Sequence, residues 1–210
     1  MLLASPKNLR LAERHLAAFD KRLAPIIAAA GPCTLRPHKQ YYQALSESII
    51  SQQLSVKAAA SIKRRFVELF GGAWPTPEAI LTKSTEDLRA TGFSWAKAAY
   101  IRDLAQHIKD GKVRFDKLDT MSNQAIIAEL TDVKGIGEWT AHMFLMFCMG
   151  RLDVLPTGDL GIRNGIRALY GLTAVPTPQQ VIEVAEQNSW HPYESVASWY
   201  IWHSLDNAPV

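Results

Sequence analysis

Residues 130–159 read LTDVKGIGEWTAHMFLMFCMGRLDVLPTGD, and the fold turns on them. Helical periodicity stops near Thr131, Gly135 and Gly137 flank Ile136, and periodicity resumes at Glu138. That is the form of two helices joined by a tight hairpin. Glycine permits positive φ and lets a ligand come close to the backbone. Ile136 reads as the apolar pin between the two helices. The first amides of a helix opening at Glu138 have no internal acceptor, so they can bind a phosphate oxygen. Such contacts position a duplex without specifying a base, and Lys134 adds a screened cation. A Gly-X-Gly between helices is also a generic turn, so the motif alone leaves both readings open.

The same stretch ends on Asp159, after Pro156 and Gly158 and just before another apolar-periodic segment. The plain reading is a helix N-cap, a preferred place for aspartate. A second reading is compatible with the first. The helix end keeps the carboxylate charged, and the Pro-Thr-Gly turn fixes its direction. A carboxylate held this way beside a deoxyribose can stabilise the cation that forms as a base departs. Asp153 precedes the loop and reads as a surface turn residue.

The rest of the 210 residues supports a folded, helical chain. Hydrophobic residues make up 48% and charged residues 20%, which excludes wholesale disorder. Net charge is only +3, but it is unevenly placed. Up to Arg167 the net is +7; from Ala168 onward there is no Lys or Arg and the net is −4. That distribution fits one basic face or lobe and equally well an ordinary charged surface. The two cysteines, Cys33 and Cys148, cannot build a four-thiolate iron–sulfur cluster, and Cys148 in MFLMFCMG reads as a buried free thiol. The six histidines show no ligand spacing. Charges at Lys7, Arg10, Glu13 and Arg14 interrupt any leader-like apolar run, and no window has the ~20 apolar residues of a membrane span. The expectation is an intracellular protein without membrane association, in the cytoplasm or nucleoid, or in the nucleus of a eukaryote.

Periodicity predicts helices over 8–30 (with Pro25 making one continuous helix doubtful), 41–50, 55–70, a short one from Pro77, 95–108, short ones near 115–121 and 122–130, then 138–149, 160–169, 178–187 and 192–205. No β alternation is visible. The fold class is all-α and two-lobed, one lobe from about 40–155 with the hairpin and the other from about 1–39 and 156–210.

These motifs together resemble the helix–hairpin–helix DNA glycosylase superfamily, and within it the DNA-3-methyladenine glycosylase II family, over roughly Tyr41 to Leu205. The resemblance implies that Asp159 is catalytic and that Lys134, Gly135, Ile136 and Gly137 hold the DNA backbone. It implies that the carbonyls of Thr131, Val133 and Ile136 bind Na+ or K+, with no further cofactor. Bifunctional relatives place a lysine nucleophile where this chain has Trp139, so the implied enzyme is monofunctional. It would hydrolyse the N-glycosidic bond of 3-methyladenine or 7-methylguanine in double-stranded DNA, as a monomer, leaving an abasic site.

The segment SIISQQLSVKAA, residues 48–59, matches the part that fills the gap left by an extruded base. Gln53 is the wedge by that match and Leu54 its neighbour, although leucine often serves as the wedge in this branch. Trp139, with Met143 one turn later, and Tyr193 match base-pocket positions; Trp190 is the alternative to Tyr193. Trp199 and Trp202 fit core packing. The competing reading is a non-catalytic helix–hairpin–helix DNA-binding module. A helical protein-interaction domain is the third, and it would show no salt-dependent DNA affinity.

Overall fold

The computed structural model describes residues Leu2 to Leu205, and their regular structure is helical. The helices are α1 (Pro6–Phe19), α2 (Ala24–Ala30), α3 (Tyr41–Ser51), α4 (Val56–Leu69), α5 (Pro77–Thr82), α6 (Thr85–Ala90), α7 (Trp95–Lys109), α8 (Asn123–Thr131), α9 (Glu138–Met143), α10 (Leu160–Tyr170), α11 (Pro178–Gln187) and α12 (Glu194–Ser204). Among the described residues the sole β pairing is an isolated antiparallel bridge between Leu3 and Arg151.

Local chemistry starts most of these helices. Ser5, Ser55, Thr76, Ser84, Ser94, Ser122, Asp159 and Thr177 each accept a first-turn amide, the N-cap bond that side-chain oxygens make. The expected 8–30 helix is two helices. Asp20 accepts the amides of Arg22 and Leu23 at 2.9 Å each, and this break lets Pro25 enter the first turn of α2. Helix α6 was not expected from periodicity; a Ser84–Asp87 capping box opens it. The expected 115–121 helix is only a 3-10 turn at Leu118–Thr120. The run after α9 continues as a π-helical segment, Phe144–Cys148.

The chain divides into two compact units, Gln40–Ala141 and Met1–Lys39 with His142–Val210. The expected boundary near residue 155 is therefore displaced to 141. The cause is hydrogen bonding of 148–154 to terminal segments. Ala4 N donates to Gly150 O at 2.6 Å, Leu152 N to Leu2 O at 3.2 Å and His38 N to Cys148 O at 2.9 Å. In the central unit, Phe66 anchors the core, stacked on Phe93 at 5.2 Å and edge-on to Trp74 at 5.7 Å. In the other, Leu16, Ile162, Ile166, Tyr200 and Ile201 are buried, and so is Asp20. Asp20 Oδ2 accepts from Trp190 Nε1 at 2.7 Å and from the Tyr170 hydroxyl. Burial and that carboxylate push the Tyr170 phenol pKa upward.

Candidate active site and nucleic-acid interface

In the central unit, the turn between α8 and α9 is the Gly-Ile-Gly hairpin. Val133 and Ile136 are buried, so Ile136 packs its side chain inward and offers its surroundings only backbone. Gly135 has φ +86°, and a Cβ there would lie 2.2 Å from the Tyr100 ring. Only glycine meets both demands. At Gly137 a Cβ would meet nothing within 4 Å; that position faces open space where α9 begins. The Lys134 amide is not directed outward, since it donates to Asp103 Oδ2 at 2.8 Å. Any outward contact of Lys134 is made by its exposed side chain.

The loop between α3 and α4 lies against this hairpin. Leu54 N donates to Ser51 O at 3.2 Å, Gln52 has φ −49° and ψ 131°, and Gln53 has φ +56°. That is the pattern of a type II turn, with Gln53 at the position that favours glycine. Its side chain is exposed, and Leu54 is 37% exposed. A non-glycine residue held left-handed at an exposed tip costs about 1–2 kcal/mol, and such strain tends to occur at functional loops. Gln52 has another job: its Nε2 donates to Gly135 O at 2.7 Å.

The first residues of α9 carry Trp139, 53% exposed. An indole this open on a helix that follows a glycine hairpin is not core packing. Met143, four residues on, is half-buried.

In the terminal unit, α12 organises the other groups. Ser195 ties down the 151–154 segment: its Oγ donates to Arg151 O at 2.7 Å and its amide to Leu152 O at 2.9 Å. The chain then turns through Pro156, whose carbonyl accepts the Asp159 amide at 3.0 Å. Asp159 is the N-cap of α10. Its Oδ1 accepts Ile162 N at 2.7 Å and Trp202 Nε1 at 2.9 Å, and 9% of the residue stays exposed. Trp202 is buried core, as expected, but it also orients this carboxylate, a role that sequence reasoning missed. Gly161 permits the arrangement, because a Cβ there would stand 3.0 Å from Asp159 Oδ1 and 3.1 Å from the Trp202 ring. Phe147 backs the indole at 5.9 Å between centroids.

Tyr193 is half-buried at the start of α12. Its ring meets His15 at 5.1 Å, and His15 in turn meets Phe19 at 4.7 Å. The alternative to Tyr193 is corrected: Trp190 is wholly buried, with its N–H spent on Asp20. Asp153 has the half-buried position of a structural residue. Both cysteines are buried, and burial pushes each thiol pKa up to about 12; neither is a nucleophile at neutral pH. Among the described residues no group of three or more His, Cys, Asp or Glu side chains is arranged to hold a metal ion.

Helix-start amides behind a glycine hairpin can bind a phosphate oxygen, and a carboxylate that caps a helix and accepts from two N–H donors suits a developing cation. The class is a helix–hairpin–helix protein of nucleic-acid chemistry. The model of the HhH-GPD superfamily base excision DNA repair protein matches residues 47–189, and the chain belongs to that superfamily. It is similar to DNA-3-methyladenine glycosylase 1 of Schizosaccharomyces pombe, 37% identical over 200 residues that cover 93% of this chain and 87% of that one. Among solved structures it resembles the Schizosaccharomyces pombe 3-methyladenine DNA glycosylase in complex with abasic DNA. That match has a TM-score of 0.78 at 35% identity and covers 93% of this chain and 96% of that one. It also resembles a DNA-3-methyladenine glycosidase from Bacillus halodurans, with a TM-score of 0.84 at 39% identity, covering 95% and 89%. The all-α, two-lobed helix–hairpin–helix glycosylase fold follows from these matches.

Proposed function

We propose that the protein is a monofunctional DNA glycosylase that removes alkylated purines such as 3-methyladenine and 7-methylguanine from double-stranded DNA. The observation that carries this reading is Asp159, capped onto α10 and held by two N–H donors. Oriented donors of this kind hold a carboxylate in one place and one direction. As the C1′–N bond breaks, its electron pair leaves with the base and positive charge builds on the sugar. The fixed negative charge of Asp159 stabilises that charge without reorganisation. Water then bonds to C1′ and gives up a proton to the solvent, and an abasic site and the free neutral base remain. Trp139 occupies the place of the lysine in bifunctional relatives; an indole cannot form a Schiff base, so no strand cleavage follows.

The remaining roles belong to the same proposal. Gln53, with Leu54 beside it, fills the gap in the stack. Trp139, Met143 and Tyr193 are the side chains read as serving the extruded purine, and an aromatic face favours a ring that carries positive charge. Alkylation weakens the glycosidic bond as well, so little acid catalysis of the leaving group is required. The Lys134 side chain and the backbone of Gly135, Ile136 and Gly137 hold phosphates. The carbonyls of Thr131, Val133 and Ile136 fit a monovalent cation. They are uncharged oxygens on one tight turn, and Val133 O uses one lone pair on the Ile136 amide at 3.1 Å and keeps a second. Such carbonyls replace the water shell of a weakly hydrated ion, which when bound supplies positive charge to a phosphate. Acting on chromosomal DNA, the protein would work as a monomer inside the cell.

The test is release of free base from matched duplexes carrying 7-methylguanine or the neutral base hypoxanthine. Wild type should release the charged base faster. Asp159→Asn should bind the duplex with similar affinity and salt dependence but release base at least about a hundredfold more slowly, the scale of losing one oriented electrostatic group. Equal release by both proteins would remove Asp159 from the reaction and favour a non-catalytic DNA-binding module. Faster release of hypoxanthine would refute selection by ring charge.

A further inference from the structure

The turn that carries Gln53 is braced by side chains to which the proposed chemistry gives no role. Lys97 lies on the buried side of α7, only 9% exposed. Its Nζ donates to the carbonyls of Ile50 and Gln52, both at 2.7 Å. These carbonyls close α3, where a helix has acceptors without internal donors and a partial negative charge. Water satisfies most helix ends without burying a charge. An ammonium group carried in from another helix is the costlier solution, and burial lowers the Lys97 pKa below the usual lysine range.

Two further positions on α7 reach the hairpin. Tyr100 packs against the α-carbon of Gly135, and Asp103 accepts the Lys134 amide at 2.8 Å. Residues 97, 100 and 103 are spaced three apart, so they share one ridge of the helix. That ridge touches the Gln53 turn at one end and the hairpin at the other. Gln52 closes the span directly through its bond to Gly135 O.

We propose that Lys97 and Gln52 are positioning residues that fix the Gln53 turn in register with the phosphate-holding hairpin, so that gripping the backbone and opening the stack occur as one step. The proposal rests on the reading of Gln53 as the wedge. A free turn would lose part of each insertion to the cost of ordering it; a braced one arrives already formed.

Single-turnover excision of 7-methylguanine would be measured on two substrates. One is a fully paired duplex. The other is the same strand with the lesion in an unpaired bubble, where no base pair has to be opened. The variants are Gln52→Met, Lys97→Met, Gln53→Ala and the Gln52→Met/Gln53→Ala double. Gln52→Met and Lys97→Met should each slow excision from the paired duplex by about tenfold, the scale of one lost hydrogen bond, and from the bubble severalfold less. The double variant should be no slower on the paired duplex than Gln53→Ala, because both changes act on one element. Equal losses on the two substrates would show a merely structural role and overturn the proposal. So would full activity of Gln52→Met on the paired duplex, or additive effects in the double. Gln52 sits in a surface turn, so its variant decides the matter if Lys97→Met does not fold. Wild-type activity of Gln53→Ala on the paired duplex would instead bring down the wedge reading itself, and the brace with it.

Discussion

Replacing Gln53 by glycine is expected to make the protein more stable and less active. Gln53 holds φ +56° at the glycine-favouring position of a type II turn. For an L-residue that conformation costs about 1–2 kcal/mol. Glycine removes the cost but adds chain entropy to the unfolded state, worth roughly 0.5–1 kcal/mol. Taking the middle of each range, the difference is a net gain of about 0.75 kcal/mol. For a chain of this length that raises the melting temperature by about 1–4 °C. Gln53→Ala separates the two effects. It removes the same exposed side chain and keeps the strained backbone, so its stability should match wild type. Both variants lose the group that fills the stack, so both should excise 7-methylguanine from paired DNA about tenfold more slowly or worse, within the range set by a few kcal/mol of unstacking. The assays are thermal unfolding without DNA and single-turnover base release. Equal melting temperatures for the glycine and alanine variants would refute the strain argument. A wild-type rate in either would refute the wedge.

Three further outcomes follow from geometry. Gly135→Ala should destabilise the protein by about 2–5 kcal/mol, combining a left-handed conformation with overlap on Tyr100; in a Tyr100→Ala background the cost should fall to about 1–2 kcal/mol, and an unchanged penalty by denaturant unfolding would show that the ring contact is irrelevant. Trp202→Phe keeps an aromatic ring beside Phe147 but removes the N–H donated to Asp159 at 2.9 Å; kcat should fall about tenfold or more with KM little changed, since a hydrogen bond to a charged group is worth roughly 1.5–3 kcal/mol, and an unaltered kcat would show that Trp202 does not orient the carboxylate. Cys33 and Cys148 have thiol pKa values pushed from 9.0 to about 12. The folded state thus holds protons that the unfolded state loses above the lower value, so their contribution is complete below pH 9 and declines as pH rises towards 12. Stability should drop by about 1.4 kcal/mol per pH unit per thiol in that window, and a Cys33→Ala/Cys148→Ala variant should show a flatter alkaline slope by denaturant unfolding.

Sequence revealed what neighbouring residues decide. Ser55, Ser94 and Asp159 announce helix starts because the N-cap bond spans three residues, and Gly135 announces the hairpin because no other residue meets its φ with Tyr100 behind it. The Ser84–Asp87 box that opens α6 is equally local, but it goes unread because the apolar period there is too short to stand out. The run 144–148 is apolar on every side, so no period distinguished its π-helical turn from α-helix. The supports of the candidate site are different in kind. Trp202 reaches Asp159 across 43 residues, Lys97 reaches Ile50 across 47, and Gln52 reaches Gly135 across 83. None of these pairs has a local signature. Lys97 came nearest to one: it stands four residues before Ile101, in line with the stripe of Ala98, Ile101, Leu104 and Ala105 that α7 buries. A lysine in that line must either snorkel out or find acceptors, and here it finds the end of α3. The chemical groups of this site are therefore written in short motifs, whereas their aim is set by distant donors. For that reason changes at Gln52, Lys97 and Trp202, outside the recognisable motifs, are the ones expected to alter rate while leaving the motifs intact.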